Sequence, residues 1–125
     1  MYILEFEKLA TAGDVIELTR DKGVIKKVLM SGDEGPKPQE GEAVMINYEG
    51  RLLDGTVLEL SHQREAIGFE AGVGQMMKGW DLGVMSMRLG EKAELTVKPE
   101  YGYGKDGAPE GVPADSTLVF TITLL

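Results

Sequence analysis

Helical spacing is confined to one short segment of this chain, and that restriction does most to limit the fold. Met77, Trp80 and Val84 lie at positions i, i+3 and i+7, which places them on one face of a helix. Gly90 follows and predicts that this helix ends after Arg88-Leu89. A chain with a single short helix must bury most of its apolar surface by other means, and strands are the remaining choice.

Alternation of apolar and polar residues predicts strands on both sides of this helix. The best runs in sequence order are Val24–Met30, Val44–Tyr48 with its continuation through Leu53, Ala93–Val97 and Leu118–Leu124. The Asp54-Gly55 dipeptide predicts a hairpin turn, and weaker patterns predict a return strand at Thr56–Leu60, an extended piece at Ile67–Ala71 and an edge strand at Tyr2–Phe6. Because the connections are short, we expect an α+β fold, a curved antiparallel β-sheet of five to six strands wrapped around one short α-helix.

Composition excludes several classes of function. The 125 residues suffice for one compact core, and the absence of cysteine removes disulfides, thiolate metal sites and thiol nucleophiles. A net charge of -8 without a basic cluster disfavours nucleic acid and anionic membrane surfaces as partners. Charges near the N-terminus interrupt any signal-peptide core, and no run of 18 apolar residues occurs. We expect a soluble, cytoplasmic protein.

Residues for ordinary acid-base, nucleophilic or cofactor chemistry are missing. His62 is the sole histidine and sits in a charged loop, and the paired carboxylates Asp33-Glu34 lie in a loop without an apolar wall to separate their pKa values. Residues Gly102–Gly107 match the G-x-G-x-x-G pattern, but Pro109 and Pro113 forbid the helix that a phosphate-binding loop needs. We therefore predict neither a metal nor a cofactor. The 99–113 loop, rich in glycine and proline, is expected to lack regular structure and to carry function.

Five segments in fixed order resemble the FKBP family of macrolide-binding immunophilins. They are Asn47–Gly55, Met77–Gly83, Met87–Ala93, Pro99–Gly104 and Thr117–Phe120. The resemblance runs from about Gly23 to Leu125, and its start looks like the first domain of larger, multi-domain members. It implies an N-terminal extension over residues 1–22 with an extra strand, and an isomerase domain over residues 23–125.

The resemblance also implies an apolar pocket that receives a prolyl ring or the pipecolyl ring of a macrolide. Trp80 is expected to form its floor, the Tyr103 hydroxyl to meet a substrate carbonyl, and the backbone N–H of Met77 to bind a ligand carbonyl. The resemblance implies catalytic roles for Tyr103, Glu59, Trp80 and Phe120. It implies substrate contacts for Tyr48, Leu58, Ile67, Met76, Met77 and Val112.

The rim of this pocket departs from the family pattern. Leu58 and Ile67 stand where the family usually has phenylalanine, and Glu59 stands where it has aspartate. Met76-Met77 replaces the usual valine and isoleucine before the helix. Two residues of the long loop are also smaller than usual, Ala108 and Gly111. The floor is therefore expected to be intact and the rim to be unusual.

The predicted function is peptidyl-prolyl cis/trans isomerisation of Xaa-Pro bonds, with binding of macrolides such as tacrolimus and rapamycin. An apolar cage with one or two donors suffices, because it favours the twisted amide over the planar one. Two alternatives stay open: a weakly active or inactive protein-binding module of co-chaperone type, and a carrier of small apolar ligands. Expected partners are proline-containing peptides or proteins, macrolides, and a chaperone if the domain belongs to a longer chain.

Overall fold

A six-stranded antiparallel sheet curls around one helix, which confirms the α+β prediction. The computed structural model describes residues 10–58, 65–105 and 111–125. The strands are β1 (Val15–Glu17), β2 (Val24–Met30), β3 (Ala43–Leu52), β4 (Ile67–Glu70), β5 (Lys92–Val97) and β6 (Leu118–Leu124). Their order in the sheet is β1-β2-β5-β6-β3-β4, and every neighbouring pair is antiparallel. The helix α1 spans Lys78–Met85 and a 3₁₀ turn spans Pro99–Tyr101.

The core lies between the concave face of the sheet and α1. Strand β6 shows the period of two most clearly, because Leu118, Phe120, Ile122 and Leu124 are buried while the residues between them are partly exposed. Two glycines on the helix allow it to approach β5. A Cβ atom at Gly79 would collide with Val97, and one at Gly83 would collide with Leu95. The helix axis therefore lies closer to the sheet than an alanine would permit.

The helix is one turn shorter than the sequence predicts. It ends at Met85, where the Ser86 hydroxyl donates to the Gly83 carbonyl at 2.6 Å and satisfies an acceptor of the last turn. Gly90 does adopt a positive φ of 82°, but it closes a separate turn that leads into β5. Local capping by a serine side chain therefore overrides the apolar pattern that continues to Leu89.

The strand predictions divide into confirmed elements and one missed element. The Asp54-Gly55 turn is present, with Gly55 at φ 93° and the Leu52 N–H donating to the Thr56 carbonyl at 2.9 Å. Its return strand reduces to a single bridge between Arg51 and Val57 in the described residues. The predicted strand Tyr2–Phe6 lies outside those residues. The missed element is β1, whose three residues are too few to show a period.

A buried ion pair connects β2 to the segment after the helix. Lys26 Nζ lies 2.7 Å from Glu91 Oε2, and the two side chains are 1% and 3% exposed. The same ammonium group donates to the Ser86 carbonyl at 3.0 Å. Alternation in β2 turns Lys26 inward, because Val24 and Val28 on the same face belong to the core. The sequence does not predict this ion pair, because Glu91 is 65 residues away from Lys26 along the chain.

The described part of the chain contains no helix that is long and apolar enough to cross a membrane.

Candidate active site

An apolar pocket of about 500 Å³ opens between the start of α1, strand β3 and the loop after β5. It brings together six of the ten side chains that the sequence singles out: Tyr48, Ile67, Met76, Met77, Trp80 and Tyr103. Gln75 and Gly102 complete its lining. Four parts of the chain meet here, namely β3, the start of β4, the turn into α1 and the loop after β5, so the pocket exists only in the folded sheet.

Trp80 forms the base of the pocket at the first turn of α1. It is 5% exposed, with Tyr48 4.9 Å away between ring centroids and Phe120 5.1 Å away at an interplanar angle of 85°. Such offset and edge-to-face arrangements are favoured by the ring quadrupoles. Among the described residues the buried indole N–H has no hydrogen-bond partner. The indole is therefore a rigid apolar surface with its donor removed from water.

Phe120 supports this base from beneath. It is fully buried on β6, opposite Gly50 of β3 and Leu95 of β5. A Cβ atom at Gly50 would lie 2.8 Å from the Phe120 ring, so only glycine leaves room for the ring between the strands. The sequence predicted a catalytic contact for Phe120, but the described lining of the pocket does not include it. Its observed position is in the core, directly behind Trp80.

The loop between β4 and α1 supplies Met76 and Met77, which form one wall of the pocket. Asp81 of the helix accepts hydrogen bonds from the backbone N–H of Gly72 at 2.9 Å and of Gly74 at 3.1 Å. Gln75 exchanges two bonds of 2.8 Å with Glu70, one through the Glu70 backbone N–H and one between the side chains. These contacts fix the loop just before Met76-Met77. The wall is thus flexible in its side chains and fixed in its backbone.

Tyr103 closes the pocket from the opposite side. It is half-buried and packs against the core from the loop after the 3₁₀ turn. Burial raises the pKa of its hydroxyl above the usual 10.0, and the nearby Tyr48 contributes in the same direction. The hydroxyl therefore remains protonated at neutral pH and is available as a donor at the rim.

The remaining predicted residues do not reach the described lining. Leu58 is 2% exposed and lies in the core, and Val112 is partly buried and packs against that core. Glu59 and the loop residue Ala108 lie outside the described residues. Gln75 and Gly102 were missed, because a polar residue in a turn and a glycine in a loop carry no signal for a pocket.

The described ranges contain no group of three or more acidic, histidine or cysteine side chains arranged to hold a metal ion. The polar groups at the pocket are instead the phenols of Tyr48 and Tyr103 and the amide of Gln75, on an apolar frame. Such a frame suits a small apolar ring held by one or two hydrogen bonds.

The described residues thus combine a curled antiparallel sheet, one helix and an apolar pocket with Trp80 at its base. Residues 35–125 match the family model described as FKBP-type peptidyl-prolyl cis-trans isomerase. The chain therefore belongs to the FKBP family of peptidyl-prolyl cis/trans isomerases.

Individual relatives show how far the similarity extends. FK506-binding protein 1A of Aspergillus fumigatus is 45% identical over 82% of this chain and 93% of its own length. FK506-binding protein 59 of Drosophila melanogaster is 41% identical over 90% of this chain, and the human peptidyl-prolyl cis-trans isomerase FKBP4 is 38% identical over 93%. The chain spans 26% of the length of each of these two larger relatives.

A solved structure of the three FKBP domains of wheat FKBP73 has the same fold. It superposes with a TM-score of 0.80 at 35% identity, over 90% of this chain and 47% of that one. The similarity at the level of coordinates therefore agrees with the similarity in sequence.

Proposed function

We propose that the pocket above Trp80 binds the proline ring of Xaa-Pro segments and accelerates rotation about the preceding amide bond. That rotation is slow because resonance gives a barrier of about 18–20 kcal/mol. The observation that carries the proposal is the aromatic base formed by Trp80 and Tyr48, supported by Phe120 and open to a cavity of about 500 Å³.

The pocket has what this reaction needs, because no bond is broken. A twisted amide is less charge-separated than a planar one, so a dry apolar cavity stabilises the twisted form relative to the ground state. Apolar surface that the bound ring and the pocket remove from water contributes about 25 cal/mol per Å². The protonated Tyr103 hydroxyl is assigned to the substrate carbonyl, and the Met77 backbone N–H to a second carbonyl. Glu59 is assigned a hydrogen bond within the pocket.

Macrolide binding belongs to the same proposal. The relatives named FK506-binding protein include one that this chain matches along 93% of its length. Tacrolimus and rapamycin are therefore proposed ligands of this pocket. Ile67 lines the cavity as an aliphatic residue, so the ligand would have one aromatic contact fewer than in the usual family pattern.

The proposal extends to the substrates, the location and the domain limits. We assign proline-containing peptides or proteins as substrates, a cytoplasmic location, and a chaperone partner if the domain is part of a longer chain. The isomerase domain is assigned to residues 23–125 and an N-terminal extension to residues 1–22. The support is the family match over residues 35–125 and the large relatives of which this chain spans 26%.

The direct test is an isomer-exchange measurement on a short Xaa-Pro peptide. The parent protein should accelerate exchange, tacrolimus should inhibit it, and Tyr103→Phe should reduce kcat/KM. The control is Thr123→Ser on β6, which should match the parent. Thr123 is partly exposed and does not line the pocket. Peptide or macrolide binding without any acceleration would instead support a binding module or carrier and contradict the catalytic proposal.

A further inference from the structure

The pocket wall that carries Tyr103 is connected to a distant part of the chain. The Tyr101 hydroxyl donates to Asp21 Oδ2 at 2.9 Å, across 80 residues of sequence. Gly102 and Tyr103 follow Tyr101 directly, and both line the pocket. We propose that Asp21 is a positioning residue for this wall and acts through Tyr101.

Asp21 is held in place by the turn before β2. Its Oδ1 accepts the Thr19 hydroxyl at 2.6 Å and the Gly23 backbone N–H at 3.0 Å. The Gly23 N–H is shared with Thr19 Oγ1 at 2.8 Å. These bonds occupy one carboxylate oxygen and direct the other toward Tyr101. Hydrogen bonds from Thr19, Gly23 and Tyr101 also lower the pKa of Asp21, so the acceptor is ionised at neutral pH.

The Tyr101 ring lies directly against the Gly23 backbone. A Cβ atom at Gly23 would collide with two carbons of the ring, so no other residue admits the ring at this position. The Lys98 N–H donates to the Gly23 carbonyl at 2.8 Å, which joins the same glycine to the end of β5. The Tyr101 ring is thus held in place by close contact with the Gly23 backbone, and the hydrogen bond from its hydroxyl to Asp21 fixes its orientation.

The hydrogen bond between Tyr101 and Asp21, called the tether below, can affect Tyr103 because the segment between Tyr101 and Tyr103 belongs to a closed turn. The Gly102 N–H donates to the Pro99 carbonyl at 3.0 Å, and the Gly104 N–H donates to the same carbonyl at 2.9 Å. A turn that closes on one carbonyl moves as a unit, so a shift of Tyr101 carries Tyr103 with it. Small displacements of a substrate-orienting group reduce rates more than they reduce stability.

The inference rests on the proposed catalytic role of the pocket, so its test uses two independent measurements. The variants are Tyr101→Phe, Asp21→Ala and their combination, and Asp14→Ala is the matched control, because it removes another turn aspartate that accepts the Thr11 backbone N–H at 3.0 Å. Isomer exchange gives kcat/KM, and the exchange rate of the Gly104 amide proton reports whether the turn is held. Urea unfolding monitors overall stability.

Each tether variant should lower kcat/KM about 2- to 5-fold, the value of one modest hydrogen bond. The combination should lower it no further, since both changes remove the same contact. Gly104 amide exchange should accelerate in all three tether variants and stay at the parent rate in Asp14→Ala, with the urea midpoints nearly unchanged.

Unaltered kcat/KM in Tyr101→Phe, an equal loss in Asp14→Ala, or multiplicative losses in the combination would each overturn the positioning role. If the parent protein itself does not catalyse isomer exchange, the proposed function fails. The exchange rate of the Gly104 amide proton then tests by itself whether the tether holds the turn. Faster amide exchange in Tyr101→Phe supports the tether, and unchanged exchange refutes it.

Discussion

The two sides of the pocket are built by different forces. The base, Trp80 on Phe120, is held by aromatic contacts inside the core, where Phe120 is fully buried. The Tyr103 side is held by hydrogen bonds near the surface, above all the one between Tyr101 and the exposed Asp21. Packing in a close-packed core resists displacement strongly, whereas an exposed hydrogen bond contributes little net free energy. The stability of the fold should therefore depend on Trp80 and Phe120, and the precise position of the substrate on the Tyr103 side.

The largest effect should follow from removal of the ring behind the base. Phe120→Ala leaves a cavity under Trp80 and should lower the free energy of unfolding by about 3–5 kcal/mol. Ligand binding should be lost in the same variant, because the indole loses its support. Urea unfolding and macrolide titration, followed through the fluorescence of the single tryptophan, measure both effects. A near-neutral free energy of unfolding would contradict the assignment of Phe120 to the core.

A smaller effect is expected at the rim. Ile67→Phe adds an aromatic contact worth about 0.5–1.5 kcal/mol and should tighten tacrolimus binding by about 2- to 10-fold. The sequence also points to Leu58→Phe, but Leu58 is 2% exposed beside Gly50 and Phe120, so a larger ring there would be overpacked. Leu58→Phe should therefore destabilise the fold and serves as the contrasting variant. Calorimetric titration that shows equal affinity for the parent and Ile67→Phe would refute the rim argument.

The smallest effect concerns pH. Because burial raises the pKa of Tyr103, its hydroxyl stays protonated through the neutral range, and kcat/KM should be level from about pH 6 to about pH 9. The shift also favours folding below the unfolded pKa near 10.0, and this stabilisation is lost as pH rises through the folded pKa. Isomer exchange across this range is the measurement, with Tyr103→Phe as control. A decline in the parent near pH 7 would exclude the assigned donor.

Strand periodicity predicted most of the sheet because each long strand buries one face and exposes the other. The three residues of β1 offer no period, and the Ser86 cap that ends α1 is a local hydrogen bond that apolar spacing does not register. The pocket was only partly predictable. Phe120 and Leu58 have the same apolar character whether they line a cavity or fill the core beneath it, so the sequence could not separate these positions. Asp21 and Tyr101 are 80 residues apart, and neither has a local pattern that marks the contact.

The buried pair of Lys26 and Glu91 has a consequence for how the chain avoids misfolding. A one-residue slip of β2 along β5 would move the lysine to the solvent face and leave the Glu91 carboxylate desolvated without a counter-charge. Breaking such a pair costs about 3–5 kcal/mol, although a matched apolar pair is often equally stable. The ion pair therefore adds little to the native state and penalises the shifted registers instead. Its energetic effect is to separate the native register of β2 on β5 from the shifted ones.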